Sequence, residues 1–367
     1  MKKLLNKVRR TKAAEQAPPS KITNDTIAEH REKILAGGRR YKYPFQYAKH
    51  KLVINATIIV VAAVLVLGVV TWQQLYIAQN SSNLFYRVTK LLPLPVAQVG
   101  DVQALYQDYL LNYRSPEHFL KNYWDTNQDS EIGKAQLEYA KRQALDTAIA
   151  DSYARKIASE KSIRVSDAEI DTEVTHIRSA GNGQLTIEAY DASAQKFLGM
   201  SPSDTRDILR NGLLRSKVAF AIDDKATTLK NKTSELLKSN NNFDKVAALL
   251  NKEQPDSVNA GVSGLIDRTD RLDGISAEEV ANLPESKIAE PLQSVTGDGY
   301  YFVRVVEKTD RQVSFAFLHI PLTVFDRQLA ELRAQGKIKE YIKIDANIAN
   351  KQPKEGDNDI CITSSRL

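Results

Sequence analysis

Gly299-Tyr300-Tyr301-Phe302-Val303-Arg304-Val305-Val306-Glu307-Lys308-Thr309-Asp310-Arg311-Gln312-Val313-Ser314-Phe315-Ala316-Phe317-Leu318-His319-Ile320-Pro321-Leu322 reads as two strands joined by a tight turn. Residues 300–307 and 313–322 are rich in β-branched and aromatic side chains, while the link at 308–312 is short and polar. An antiparallel hairpin closes so short a link at the least entropic cost. Period-two alternation predicts Phe315, Phe317 and His319 on one face of the second strand, with Ala316, Leu318 and Ile320 on the other. In the first strand Tyr301, Val303 and Val305 share a face, as do Tyr300, Phe302 and Arg304.

Upstream of the hairpin, short helices alternate with glycine-punctuated extended chain. Residues 243–250 and 276–283 read as helices, and Ala260-Gly261-Val262-Ser263-Gly264-Leu265-Ile266 as a strand. Further upstream the period becomes helical. Residues 104–123 form one helix and 134–161 another, the latter with Leu137, Ala140, Ala144, Leu145, Ala148, Ile149 and Ile157 at helical spacing. Ser166-Asp167-Ala168-Glu169 is a capping box, and Ser201-Pro202 opens a helix with proline at its first position. That helix runs through Ile208, Leu209, Leu213, Leu214, Val218 and Ala221, and its spacing predicts continuation toward Leu237. Tyr341-Ile342-Lys343-Ile344 reads as one more strand, and the polar chain from 346 onward as disordered. The fold class is α+β: an all-α module followed by a small antiparallel α+β module.

Residues 52–70, LVINATIIVVAAVLVLGVV, contain no charge. As a helix of 1.5 Å rise this stretch covers ~28 Å, close to the hydrocarbon thickness of a bilayer. Lys49, His50 and Lys51 flank one end; Trp72 and Tyr76 flank the other as interfacial anchors. The run is longer than the apolar core of a cleaved signal, and 51 residues precede it, so it reads as an uncleaved anchor. Residues 1–51 hold 14 Lys and Arg against 4 Asp and Glu, whereas residues 52–367 carry a net charge of −4. The positive-inside rule then puts residues 1–51 in the cytoplasm and 73–367 outside. The tail, with Ala17-Pro18-Pro19-Ser20 and Gly37-Gly38-Arg39-Arg40, reads as disordered.

The same charge asymmetry argues against a nucleic-acid partner, since the basic residues are not on the folded part. Cys361 is the only cysteine, which excludes an intramolecular disulfide and any cysteine-based metal site. His30, His50, His118, His176 and His319 show no metal-ligand spacing, so no metal and no cofactor is expected. Asp125-Thr126-Asn127-Gln128-Asp129-Ser130-Glu131-Ile132 imitates a calcium loop at its first, third, fifth and eighth positions. Ser130 stands where that loop needs glycine and Gln136 where it needs the bidentate glutamate, so a polar connector is the better reading. Tyr106, Tyr109, Leu110, Tyr113, Phe119, Tyr123 and Trp124 are core candidates of the helical module; a cradle for unfolded chains would leave some of them exposed as a patch.

The order of these segments resembles the SurA/PrsA class of bacterial extracytoplasmic foldases, a helical chaperone module beside a parvulin-type (PpiC) prolyl isomerase domain, over residues 93–308. Pro95-Val96-Ala97-Gln98-Val99-Gly100-Asp101 is similar to the opening strand and turn of that class, and the stretches at 166–170 and 201–218 to its last chaperone helices. Phe243-Asp244-Lys245-Val246-Ala247, Ala260-Gly261-Val262-Ser263-Gly264, Val280-Ala281-Asn282-Leu283, Ile288-Ala289-Glu290-Pro291-Leu292 and Gly299-Tyr300-Tyr301-Phe302-Val303 follow the parvulin order. Two departures stand out. Tyr301 replaces the histidine of the last parvulin strand, and the strand that should precede Phe243 is missing. In parvulins the first and last strands are antiparallel neighbours, so Phe317-Leu318-His319-Ile320-Pro321 is a candidate for the vacant place in a circularly permuted sheet.

The expected organisation is a cytoplasmic tail at 1–51, a transmembrane helix at 52–72, and a juxtamembrane segment with the chaperone module at 73–222. A parvulin-like domain with its C-terminal hairpin follows at 223–345, then a tail at 346–367. The resemblance implies unfolded exported polypeptides as partners and a hydrophobic proline pocket. His319 and Tyr301 are the catalytic candidates, and Phe302, Phe317 and Leu265 the candidates to line the pocket. With Val262 in place of the acid of the glycine-rich turn, a chaperone is favoured over a competent isomerase. An active peptidyl-prolyl isomerase and a structural envelope-binding protein are the alternatives.

Overall fold

The computed structural model describes residues 23–42, 47–124, 129–179, 183–285 and 287–345. The start of the calcium-loop-like run at 125–128, the Ala17–Ser20 stretch, Cys361 and the chain from 346 lie outside the described residues. The chain divides into two units, residues 1–71 and 72–367.

The first unit holds α1 (Asn24–Lys42) and most of α2 (Tyr47–Trp72). Residues 24–42, expected as part of a disordered tail, are helical. Thr23 and Thr26 exchange hydrogen bonds at the start of α1, Asp25 favours the helix dipole, and Ala28-Glu29 through Lys33-Ile34-Leu35 are good helix formers. Lys51–Ile77 is long and apolar enough to cross a membrane, and its most apolar 18 residues are not buried inside the structure, whereas Leu75 near its end is. Leu52, Leu65 and Leu67 are all more than half exposed, which in water would be costly.

In the second unit, a π-helical turn at Gln73–Ile77 leads through α3 (Asn83–Leu91) to β1 (Pro95–Val99) and β2 (Val102–Leu105). The helical module continues with α4 (Tyr106–Asn122), α5 (Glu131–Lys161), α6 (Asp167–Ser179), α7 (Ile187–Ser193) and α8 (Pro202–Ile222). Tyr106, Tyr109, Leu110 and Tyr113 fall on one side of α4 and are buried, with edge-on and stacked ring pairs 5.4 and 5.7 Å apart. The Ser166–Glu169 and Ser201–Asp204 capping boxes both form.

The helix entering the α+β module does not run on toward Leu237. It stops at Asp223, whose φ of −97° and ψ of 76° leave the helical region. A new helix, α9 (Asp224–Ser239), starts there, followed by α10 (Phe243–Glu253). Then come β3 (Asn259–Val262), β4 (Ile266–Asp267), β5 (Arg271–Leu272), β6 (Ile275–Ser276), α11 (Ala277–Ala281), β7 (Leu292–Gln293), β8 (Gly299–Lys308) and β9 (Gln312–Pro321). The main sheet has the order β3-β9-β8-β7, with β4 also on β9, and every pairing is antiparallel. One face, with Tyr300, Phe302, Leu318 and Ile320, packs on Phe243, Val246 and Leu250 of α10. The opposite face, with Tyr301, Val303, Val305 and Phe315, packs on Ala277, Val280 and Ala281 of α11.

The C-terminal limit of this module also differs from the expected 345. After Pro321 the chain returns to the helical module as α12 (Val324–Ala334) and β10 (Ile338–Glu340). Phe325 packs with Ala154 and Ile157 of α5 and Val218 of α8. The strand expected at 341–344 is instead β10, which pairs antiparallel with β1, while Ile342 and Ile344 drop into the core around Tyr106. The physical reason is that packing there takes these apolar residues out of water. Arg142 of α5, 1% exposed, adds two forked pairs, to Asp146 at 2.7 and 3.0 Å and to Glu340 at 2.8 and 2.9 Å. The α+β module is therefore an insertion at 223–322 within the helical one.

Asp223 caps both ends of that insertion. Its Oδ1 accepts the Ala226 N–H at 2.9 Å, and its Oδ2 accepts those of Thr323 at 2.8 Å and Val324 at 3.1 Å. Asp223→Ala should cost about 2–3 kcal/mol in denaturant unfolding, from two lost caps; a loss below about 0.5 kcal/mol would contradict the clamp.

Asp204 gives a pH signature. Burial alone would raise its pKa, but hydrogen bonds from Lys90, Tyr86 and Ser201 outweigh burial and hold it at about 2. Its contribution, about 2 kcal/mol, is complete above the unfolded value near 4 and disappears as pH falls through the folded value. Asp204→Asn should therefore lower stability most above pH ~4 and least near pH ~2, as read by thermal melts across that range; a pH-independent difference would rule the linkage out.

Candidate functional site

β9 is an interior strand of the sheet because both its edges are used, by β3 and β4 on one side and β8 on the other. Its register sets Tyr301 opposite His319 and Val303 opposite Phe317. Paired residues project to the same face, so Tyr301, Phe317 and His319 come together. The Tyr301 and His319 rings stack at 4.3 Å with 17° between planes, and the Phe317 ring lies 5.9 Å from Tyr301. Phe302 projects to the opposite face, against the helices, and is 2% exposed. Leu265 sits on the link between β3 and β4 and is 49% exposed.

Two glycines make room for these rings. A Cβ on Gly261 would stand 2.9 Å from the tip of the Phe317 ring. One on Gly299 would stand 2.4 Å from His319 Nε2 and 2.3 Å from the Ile320 carbonyl oxygen.

Beside the stack is Asp298, which the sequence reading passed over. Tyr301 Oη donates to Asp298 Oδ2 at 2.7 Å, and His319 Nε2 lies 3.4 Å from the Asp298 carbonyl oxygen and 3.7 Å from Oδ2. The Thr296-Gly297-Asp298-Gly299 run just ahead of the strand is the turn signal that pointed to it. Ser294 shapes that turn, its Oγ accepting the N–H groups of Asp298 at 3.0 Å and Gly299 at 3.3 Å. Gly297, at φ +80°, lies so close to α8 that a Cβ would be 2.7 Å from Ser216 Cα. The turn carrying Asp298 is thus pressed onto the helical module.

Burial, then the hydrogen bond to Asp298, push the Tyr301 pKa well above the ordinary tyrosine value. At neutral pH Tyr301 is a hydrogen-bond donor already committed to Asp298, and not a base. The arrangement offers a ring-lined apolar face with one imidazole at its rim. Among the described residues no cluster of His, Cys, Asp or Glu is placed to hold a metal ion.

A second surface lies on the helical module. Tyr123 and Phe197 are each 41% exposed, with rings 5.1 Å apart, and the half-buried Phe119 and Trp124 extend the group. Phe197 belongs to a π-helical turn, Ala194–Leu198, which ends at Gly199 with φ +63°. His118 Nε2 lies 3.0 Å from the Lys196 carbonyl oxygen, to which Tyr123 Oη donates at 2.8 Å. The backbone irregularity is thus tied down and presents Phe197 outward.

Residues 45–219 match the SurA-like N-terminal domain family, a stretch that takes in the apolar helix and ends within α8. The match supports a SurA/PrsA-type family and points to a chaperone-type function. It ends short of Asp223, so the α+β module lies outside it. No curated protein and no solved structure matches the chain.

Gly299→Ala should destabilise the α+β module by about 1–3 kcal/mol, as an overpacked site does, and break the Tyr301–His319 stack. The check is chemical denaturation together with the His319 ring shifts in NMR. Tyr301→Phe should keep the stack and cost only about 1 kcal/mol. Unchanged His319 shifts in the alanine variant would refute this account of the glycine.

Proposed function

We propose that this chain is a membrane-anchored extracytoplasmic chaperone of the SurA type that binds extended segments of exported polypeptides. The observation that carries the reading is the pair of exposed rings Tyr123 and Phe197, backed by half-buried Phe119 and Trp124, on a module matched to the SurA-like domain. Exposed rings clustered on one surface are what an unfolded apolar segment needs, and a monomer gains nothing by displaying them to water. The anchor is the apolar helix at 52–72, and its direction follows from the basic flank before Leu52, which favours a cytoplasmic N-terminus.

The α+β module is, in this reading, a circularly permuted parvulin-like sheet with β9 in the place of the missing first strand. Support comes from the antiparallel β8–β9 pairing and from the glycine-bearing β3 on the other edge of β9. Its role is binding more than turnover. Tyr301 has its hydroxyl occupied by Asp298 and its ring by His319. A proline seated there would have to displace the stack. Peptidyl-prolyl isomerase activity is the alternative, and it draws on the apolar Phe317 and the imidazole beside it.

The test uses the purified full chain and an aggregating unfolded client. Wild type should suppress aggregation, and Phe197→Ser combined with Tyr123→Ser should remove most of that effect while the melting curve stays unchanged. A double variant as protective as wild type would sink the assignment of the patch. With a proline-containing peptide, isomerisation should stay near its uncatalysed course of tens of seconds or more; clear acceleration that is lost in His319→Ala would favour the enzyme instead.

A further inference from the structure

Helix α3 (Asn83–Leu91) is fixed to the helical module by one side only. Tyr86 and Thr89 are buried there, Tyr86 Oη donates to Asp204 Oδ1 at 2.6 Å, and Lys90 Nζ reaches the same carboxylate at 2.8 Å. The Arg114 guanidinium lies 4.4 Å over the Tyr86 ring and adds to the grip. These contacts set the rotation of the helix. At 3.6 residues per turn, the far side carries Leu84, Arg87, Val88 and Leu91. Leu84 is 67% and Leu91 83% exposed, and Leu92 just beyond is 50% exposed.

The place of α3 in the chain says what covers that side. Leu75, three residues beyond Trp72, is fully buried in the same apolar core as Tyr86. The core to which α3 is attached therefore begins within one turn of the end of the apolar helix. Charge agrees with position. Lys90 is neutralised by Asp204, whereas exposed Arg87 has no acidic partner among the described residues.

We infer that α3 lies in the interfacial layer of the bilayer, with Leu84, Leu91 and Leu92 at the acyl boundary and Arg87 among anionic headgroups. Interfacial helices combine an apolar side with basic residues in this way. The helical module is then oriented on the membrane surface instead of swinging on a tether. The inference rests on the reading that the apolar helix up to Trp72 spans a membrane.

The full chain carrying Cys361→Ser and one new cysteine, Leu84→Cys, Leu91→Cys or Leu249→Cys, is labelled with an environment-sensitive dye. It is reconstituted in nanodiscs of phosphatidylcholine and phosphatidylglycerol. Leu249 is a comparably exposed leucine of α10, 51% accessible, and serves as the control. Dyes at 84 and 91 should emit further to the blue than the dye at 249 and be quenched by nitroxide-labelled lipid chains. Arg87→Glu, or discs without phosphatidylglycerol, should reduce that quenching. If the chain is retained in the discs but 84 and 91 are quenched no more than 249, the inference is overturned. The same holds if they are shielded only after an unfolded client is added. If the chain is not retained in the discs at all, the membrane-spanning reading itself fails.

Discussion

A single buried carboxylate ties the two ends of the α+β module together. Asp223 stands where the chain leaves the helical module and accepts N–H groups from both sides of the seam, at Ala226 and at Thr323 and Val324. Helix starts leave donors unsatisfied, and here α9 and α12, a hundred residues apart in sequence, share one acceptor. The cost of closing a loop rises only slowly with its length, so a whole module fits between these two points. Once both ends are held, β9 has to finish beside α8 and α12, and the remaining strands build outward from it.

The seam also governs the ring-lined face. The turn 294–299 carries Asp298, and Asp298 holds the Tyr301 hydroxyl. That turn rests on α8 through Gly297 and Ser216, and the Ser216 hydroxyl reaches the Ser294 carbonyl at 3.4 Å. Across the same interface Phe220 packs edge-on to Tyr300 at 5.0 Å, on the opposite side of the sheet from Tyr301. Arg271 of β5 forms an ion pair with Glu173 of α6.

The return of the chain closes the helical module by packing and pairing alone. α12 seals the groove between α5 and α8, β10 covers the open edge of β1, and Arg142 locks Glu340 to α5. Each of these contacts joins residues from opposite ends of the module. Covering a strand edge also removes a template for unwanted pairing.

Much of this was legible in the residues themselves. Alternation in 300–307 and 313–322 specified a hairpin and the composition of its two faces, because a strand's side-chain period is a local property. Capping residues at Ser166 and Ser201 marked helix starts for the same local reason, and the uncharged run at 52–70 marked the apolar helix. Other features could not be read there. The break at Asp223 is invisible to helical spacing, since its cause is a carboxylate that serves Thr323 and Val324. Phe302 and Phe317 look equivalent as strand aromatics until packing on α10 buries the first and leaves the second with Tyr301 and His319. Asp298 gains its role only when the turn folds onto α8. Sequence by itself determined the hairpin and its faces, the capped helix starts and the apolar helix, which depend on neighbours a few residues away. Tertiary structure decided which faces meet, because those contacts join residues scores of positions apart and no local period encodes them.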